Sequence, residues 1–332
     1  MATLSSVSSA KTLFSILKEI NLDAIRRSSD EPFELVLSGS LAERVVELLH
    51  GSEKQGSEKT GRIRISSPVN DKHGLTGLQN NNGFTVSCLH SRSGKTYTYE
   101  EPLRVSLLGD ETLSQPLPNH LILTDLSTKS LENELISALF NRLPEDLHLP
   151  LARHVPLARN VYSKRLTDET AKANAVYAAS TALGGFIPVV NVPLNVADMM
   201  ILTKNQLVMA YKLALAYGKT GAPMSVMTEM IGVLGSGFFF RQVARGLIGF
   251  IPGWGVIPKI GIAYAGTYLV GQGVSLWLRD GQKVTQRELE RFYSEALTRG
   301  KKWAATLRNK SLPGQQEQST SSRNEREQPP QR

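Results

Sequence analysis

Cysteine is nearly absent from this chain: Cys88 stands alone among 332 residues. No internal disulfide can form, and no thiolate cluster can hold a metal. Histidine offers no metal site either. His50, His73, His90, His120, His148 and His154 are scattered, whereas zinc sites need short, fixed ligand intervals. A G-x-S-x-G nucleophile elbow is missing, and so is a complete Walker loop, G-x-x-x-x-G-K-[ST]. Basic residues form no dense run, so no nucleic-acid partner is expected. What remains implies no catalytic set and no cofactor. Met1–Ala10 is serine-rich, and the next apolar stretch is broken by Lys11, Lys18 and Glu19. That does not read as a secretory leader, so any membrane is expected to be met from its cytoplasmic side.

What is present is asymmetric. The chain is 41% hydrophobic with a formal net charge of +8, and its mean hydropathy is −0.18. The first half is polar and slightly acidic, so the basic excess lies in the second half, which is also the apolar half. Cations beside apolar helices suit anionic lipid headgroups.

Periodicity predicts the elements. Leu13, Phe14, Ile16, Leu17 and Ile20 recur at helical spacing, giving a short amphipathic helix over Ala10–Leu22. Pro32–Gly39 alternates as a strand, and Leu41–Leu49 follows at helical period, ending near Gly51. Further strands are expected at Arg62–Ser66, Phe84–Leu89, Arg104–Leu108 and His120–Thr124, and a helix at Leu131–Leu143. Residues 1–146 therefore read as a small α/β domain with about five strands in an order the sequence leaves open. Pro150 and Pro156 mark 147–170 as a linker. From 171 to 284 small and apolar residues dominate an all-α helical-hairpin module. A basic helix is expected over 285–308, and 309–332 is polar enough to be a disordered tail.

The apolar module carries an internal echo. Gly185-Phe186-Ile187-Pro188 recurs as Gly249-Phe250-Ile251-Pro252, each before a second proline, Pro193 or Pro258. Proline ends a helix because it lacks an N–H and clashes with the preceding turn. Two helical hairpins of similar build follow, with Phe186, Pro188, Phe250, Pro252 and Trp254 at their corners as candidates for membrane or partner binding. Ile260–Leu278 holds no ionised side chain and just meets the length of a membrane span, about 20 residues. Ala263, Thr267, Gly271 and Ser275 form a small stripe along it, the pattern that lets two helix backbones approach closely. Asp198, with Gln206 beyond it, is a candidate polar site in apolar surroundings. An ion pair with Lys204 or Lys259 is the plainer reading.

Two places invite a nucleotide. Ser38, Gly39 and Ser40 form the turn between a strand and a helix, where backbone amides can face an anion. Asp125 ends the strand at Leu121, where a magnesium-binding aspartate often sits. Gly94-Lys95-Thr96 has no glycine five residues upstream, and the following Tyr97-Thr98-Tyr99 favours a hairpin.

Leu151-Ala152-Arg153, Pro156, Arg159, Asn174-Ala175, Phe186-Ile187-Pro188, Pro193, Asp198, Gln206, Ala216-Tyr217-Gly218, Ile251-Pro252 and Ala265-Gly266-Thr267 carry a resemblance. Together they resemble the YcjF-type domain of unknown function that follows Era-like GTPase domains in bacteria. The resemblance implies a helical, membrane-associated module behind a GTPase-like domain, here a degenerate P-loop GTPase-like one. The lysine and hydroxyl that a phosphate loop needs are missing after Gly39, so GTP hydrolysis is not implied. The expected function is a non-enzymatic scaffold or regulatory protein on the inner face of the cytoplasmic membrane, with self-association or a protein partner. The alternatives are a soluble NTPase with an atypical phosphate site and a soluble helical protein- or RNA-binding module.

Overall fold

The structure, a computed structural model, describes residues 15–50, 63–65, 83–92, 95–108, 119–183, 196–234, 256–281 and 285–310. The hairpin corners at 185–193 and 249–254 lie outside these residues, as does the tail. The chain divides into two compact units that interleave along the sequence. A sheet unit comprises Met1–Leu166, Leu207–Val233 and Val274–Gly281; a helical unit comprises Thr167–Gln206, Leu234–Gly273 and Gln282–Arg332.

The sheet unit begins with helix α1, Leu22–Ser29, capped by the Asn21 side chain, which accepts from the Ala24 amide. Strand β1, Phe33–Gly39, leads into α2, Ala42–His50, and then to β2, Ile63–Ile65, parallel to β1. Strands β3, Gly83–Arg92, and β4, Lys95–Leu107, form an antiparallel pair, and β5, His120–Leu123, runs parallel to β4. The sheet is mixed, with strand order β2-β1-β3-β4-β5. Alternation fixes which face is buried. Phe33, Leu35 and Leu37 of β1 are buried, and through the register Leu37 lies opposite Val86, itself opposite buried Leu103. Arg92 pairs with Lys95 and Ser91 with Thr96, so Lys95-Thr96 begins the second strand of an antiparallel pair.

Helix α3 follows, as Thr128–Ser130, a π-helical Leu131–Ile136 and then Ser137–Arg142. Next come α4, His148–His154, and α5, Ala158–Leu183. Within the stretch expected as a linker, 148–154 and 158–170 are helical. Pro150 sits in the first turn of α4, where its missing N–H has no intrahelical acceptor to lose, and Pro156 precedes α5. Leu149, Leu151, Val155, Ala158 and Tyr162 are all buried. Around Phe140 gather His148, with ring centroids 5.1 Å away, and Tyr162, stacked at 6.1 Å.

Helix α6, Val196–Ala216, gives its C-terminal half to the sheet unit, and α7, Pro223–Leu234, follows. The turn between them is held by two arginines. Arg153 Nη1 donates to the Leu215 carbonyl at 3.0 Å, Arg153 Nε pairs with Asp30 at 3.2 Å, and Arg26 Nη1 donates to the Gly221 carbonyl at 2.7 Å. Cations at a helix C-terminus satisfy carbonyls left without intrahelical donors.

In the helical unit the first half of α6 and the last part of α5 are joined by α8, Val256–Asp280, up to Gly273, and by α9, Gln286–Lys310. Ala178, Leu202 and Ala263 form an apolar cluster flanked by Tyr177. Among the described residues no helix is long and apolar enough to cross a membrane.

Candidate functional site

The strand–turn–helix at Ser38–Ser40 is occupied by the sheet itself. Ser38 Oγ lies 2.7 Å from Thr85 Oγ1, and Ser40 Oγ donates to the Gly83 carbonyl at 3.4 Å. Gly39 has φ +125°, and a Cβ there would meet the Gly83 oxygen at 2.6 Å. Its glycine serves close strand packing. Asp125 is exposed, and its carboxyl is held below the usual range, first by the Ser127 hydroxyl and then by Ser130. It accepts from the Ser127 amide at 3.0 Å, while Ser127 caps α3 by accepting from the Ser130 amide. That is a turn geometry. β1 and β5 are separated by β3 and β4, roughly 14 Å at the usual strand spacing. The structure does not bring Ser38–Ser40 and Asp125 together.

The helical unit concentrates its polar groups where the chain is most apolar. Asn174 on α5 is fully buried and fully engaged. Its Nδ2 donates to Thr267 Oγ1 on α8 at 2.8 Å and to the Leu202 carbonyl on α6 at 3.3 Å. Its Oδ1 accepts from Asn205 Nδ2 at 2.7 Å. Gln206 Nε2 reaches the same Thr267 oxygen at 3.2 Å, and Thr267 donates in turn to the Ala263 carbonyl at 2.9 Å. One seam thus ties three helices. Gln206, expected as a polar site, belongs to it; Asp198 lies on α6, and its side chain is outside the described residues.

The small stripe of α8 faces this seam. Ala263 and Thr267 are buried, and a Cβ on Gly271 would stand 2.4 Å from Thr167 Oγ1 of α5. Ala263, Thr267 and Gly271 therefore let helices of this chain approach one another; Ser275 falls in the α8 segment of the sheet unit and is half-buried. The Thr167 hydroxyl is buried without a hydrogen-bond partner. A second close approach joins α8 to α9, where a Cβ on Gly300 would meet the Gly261 oxygen at 2.9 Å.

Two stacked tyrosines flank that approach. Tyr264 donates to Asp168 at 2.6 Å and Tyr268 to Glu295 at 3.1 Å, with ring centroids 6.0 Å apart. Burial, reinforced by the Asp168 carboxylate, raises the Tyr264 phenol well above its ordinary value. Burial likewise pushes Tyr268 up to about 12. Lys172 pairs with Asp168 and lies over the Trp303 ring at 5.5 Å. Arg299 binds Glu295 at 2.7 Å and lies 5.2 Å from the Tyr268 centroid.

Helix α9 is therefore two-faced. Phe292, Ala296 and Gly300 are buried, and Trp303 is half-buried with its indole nitrogen covered. Arg287, Arg291, Ser294, Glu295, Thr298, Arg299 and Lys302 are exposed on the other side. Sequence reasoning missed the roles of Asn174, Asn205, Thr167 and the Gly261–Gly300 contact. A lone amide within an alanine-rich helix was the available signal. The chain matches no family model, no curated protein and no solved structure.

Proposed function

We propose that the protein is a non-enzymatic scaffold or regulatory protein that docks on the inner face of the bacterial cytoplasmic membrane through its helical unit. The observation that carries this reading is the outward basic face of α9, with Arg287, Arg291, Arg299 and Lys302 exposed. The YcjF-type resemblance supports the same placement. Partnership with another protein or a second copy belongs to the same reading.

A second reading has its own observation. Ile260, Ala263, Tyr264, Tyr268, Leu269 and Val270 of α8 are buried within this chain, which favours a helical interaction module that works without a bilayer. Nucleotide binding by the sheet unit has less support. Antiparallel β3 lies directly beside β1, where a doubly wound nucleotide fold would set parallel strands. We therefore take the sheet unit as a regulatory domain and do not carry the degenerate-GTPase reading further.

Fractionation of the full-length protein from bacteria separates these readings. Recovery with membranes is the expected result; release by high salt marks surface attachment, and retention through alkaline carbonate marks insertion. Full recovery in the soluble fraction overturns the membrane reading and leaves the interaction module.

A further inference from the structure

The sequence of α9 invites an in-plane amphipathic helix, with Phe292 and Trp303 entering the lipid and the cations beside them. The structure uses that apolar face differently. Phe292, Ala296 and Gly300 are buried, Gly300 lies against the backbone of Gly261, and Lys172 covers the Trp303 ring. Among the described side chains of α9, none of the large apolar ones is left exposed for the acyl chains.

What α9 presents outward is charge. At 100° per residue, Arg287, Arg291, Thr298 and Lys302 fall in one stripe, with Ser294 and Glu295 at its margins. A shallow open depression of about 630 Å³ lies over Arg291, Ser294, Glu295, Thr298, Arg299 and Lys302. The one carboxylate there, Glu295, is already bound by Arg299 and by the Tyr268 hydroxyl. From Arg287 to Lys302 the stripe runs roughly 22 Å at 1.5 Å per residue. No aromatic ring stands among the residues of that depression to stack a base, which single-stranded nucleic-acid sites use. A row of exposed cations with hydroxyls between them complements the negative charge of phosphodiester headgroups.

Resting on the membrane reading above, the structure assigns the Arg287–Arg291–Thr298–Lys302 stripe of α9 as an electrostatic docking face for anionic phospholipid headgroups, with Phe292 and Trp303 kept out of the acyl layer. Binding through it is set by lipid charge and reversed by salt, because exposed charges are screened beyond about 8 Å at physiological ionic strength.

The test uses the full-length protein with vesicles of phosphatidylcholine alone or with phosphatidylglycerol added. The wild type is expected on the anionic vesicles, with binding lost as salt rises. Arg291→Ala with Lys302→Ala weakens it by about thirtyfold, about fivefold per cation near an anionic surface. The same pair changed to Glu abolishes it, and unchanged helicity and Tm show that these variants fold. In a protein whose only tryptophan is Trp303 (Trp254→Phe, Trp277→Phe), brominated acyl chains leave the emission unquenched. Anionic binding that the stripe variants do not alter, or quenching of Trp303, overturns the stripe while leaving membrane docking standing. Tighter binding to RNA than to anionic vesicles at matched salt also overturns it. A wild type that binds neither vesicle fails both this inference and the membrane reading.

Discussion

Single residues decide how closely the elements of this protein approach. Gly271 has Thr167 Oγ1 and Cγ2 at 2.4 and 2.5 Å from where its Cβ would stand. Gly271→Ala is expected to destabilise the helical unit by about 1–3 kcal/mol, the usual range for overpacking. Thr167→Ala removes those two atoms and leaves only its own Cβ at 2.9 Å, so the double variant recovers part of the loss. Thermal melts of the four proteins check this, and additive effects would show that the two residues do not touch. Gly39 differs, because its φ of +125° and the Gly83 backbone oxygen leave nothing flexible to yield. Ionisation acts at the same scale. Tyr268, pushed up to about 12 by burial, and Tyr264, raised for the same reason, stay protonated in the fold. An unfolded chain releases those protons near the ordinary tyrosine pKa of about 10. Above that pH the unfolded state holds fewer protons than the native one, so stability falls. The contribution is intact below about 10 and is lost progressively as pH rises through about 12 for Tyr268. Far-ultraviolet dichroism against pH should show helix loss in that window, and Tyr268→Phe should shift it upward. Phenols that ionise near 10 while the helices persist would contradict the burial.

Among the elements, α5, α6 and α8 are joined by a seam of amides and hydroxyls. Asn174→Ala removes three hydrogen bonds and leaves Thr267 and Asn205 with lost partners. A loss of about 2–3 kcal/mol is expected from groups left buried and unpaired. Urea unfolding followed by helicity measures it; a cost below about 0.5 kcal/mol, the range of ordinary surface changes, would mean that the seam is not closed in solution. The seam also marks what the sequence could and could not reveal. The strands were legible because Phe33–Leu37 and Phe84–Cys88 alternate, and the hairpin was legible at Lys95-Thr96. The order of strands was not, because the antiparallel placement of β3 between β1 and β4 is a long-range pairing. Strand β4 starts at Lys95, earlier than its apolar end at Arg104–Leu108 announces. Pro102 disguised it, and the ladder is irregular opposite that segment, between Val86 and Cys88, where a residue without an N–H is tolerated. Asn174, Asn205 and Thr267 are distant in sequence, and nothing local to any of them names its partners. Ser38–Ser40 and Asp125 were plausible singly, and strand order keeps them apart.

At the scale of the whole molecule, the units do not follow the sequence halves. The composition shift near residue 170 marks a change of helix character, but the sheet unit also takes in Leu207–Val233 and Val274–Gly281. Those segments bury Met209, Tyr211, Leu213, Leu215, Val226, Met227, Met230 and Val274. They also receive the Arg26 and Arg153 hydrogen bonds at Gly221 and Leu215. A fragment ending at residue 170 would lose those buried side chains and leave two arginines without their carbonyls. Burial of these eight side chains, at roughly 1.5 kcal/mol apiece, comes to about 12 kcal/mol and is comparable to the roughly 5–15 kcal/mol that typically holds a domain folded. The fragment 1–170 is therefore expected to lack a cooperative melt, although it contains every strand of the sheet. Cys88 reports the result directly. Its thiol is buried in β3 and pushed up to about 12 by that burial, so in the full chain it should resist alkylation at pH 8 until denaturant is added. In the fragment it should react at the rate of a free thiol, since the thiolate is the nucleophile and its ordinary pKa is about 8.5. A fragment that melts cooperatively with Cys88 protected would place the boundary where the composition changes and not where the contacts do.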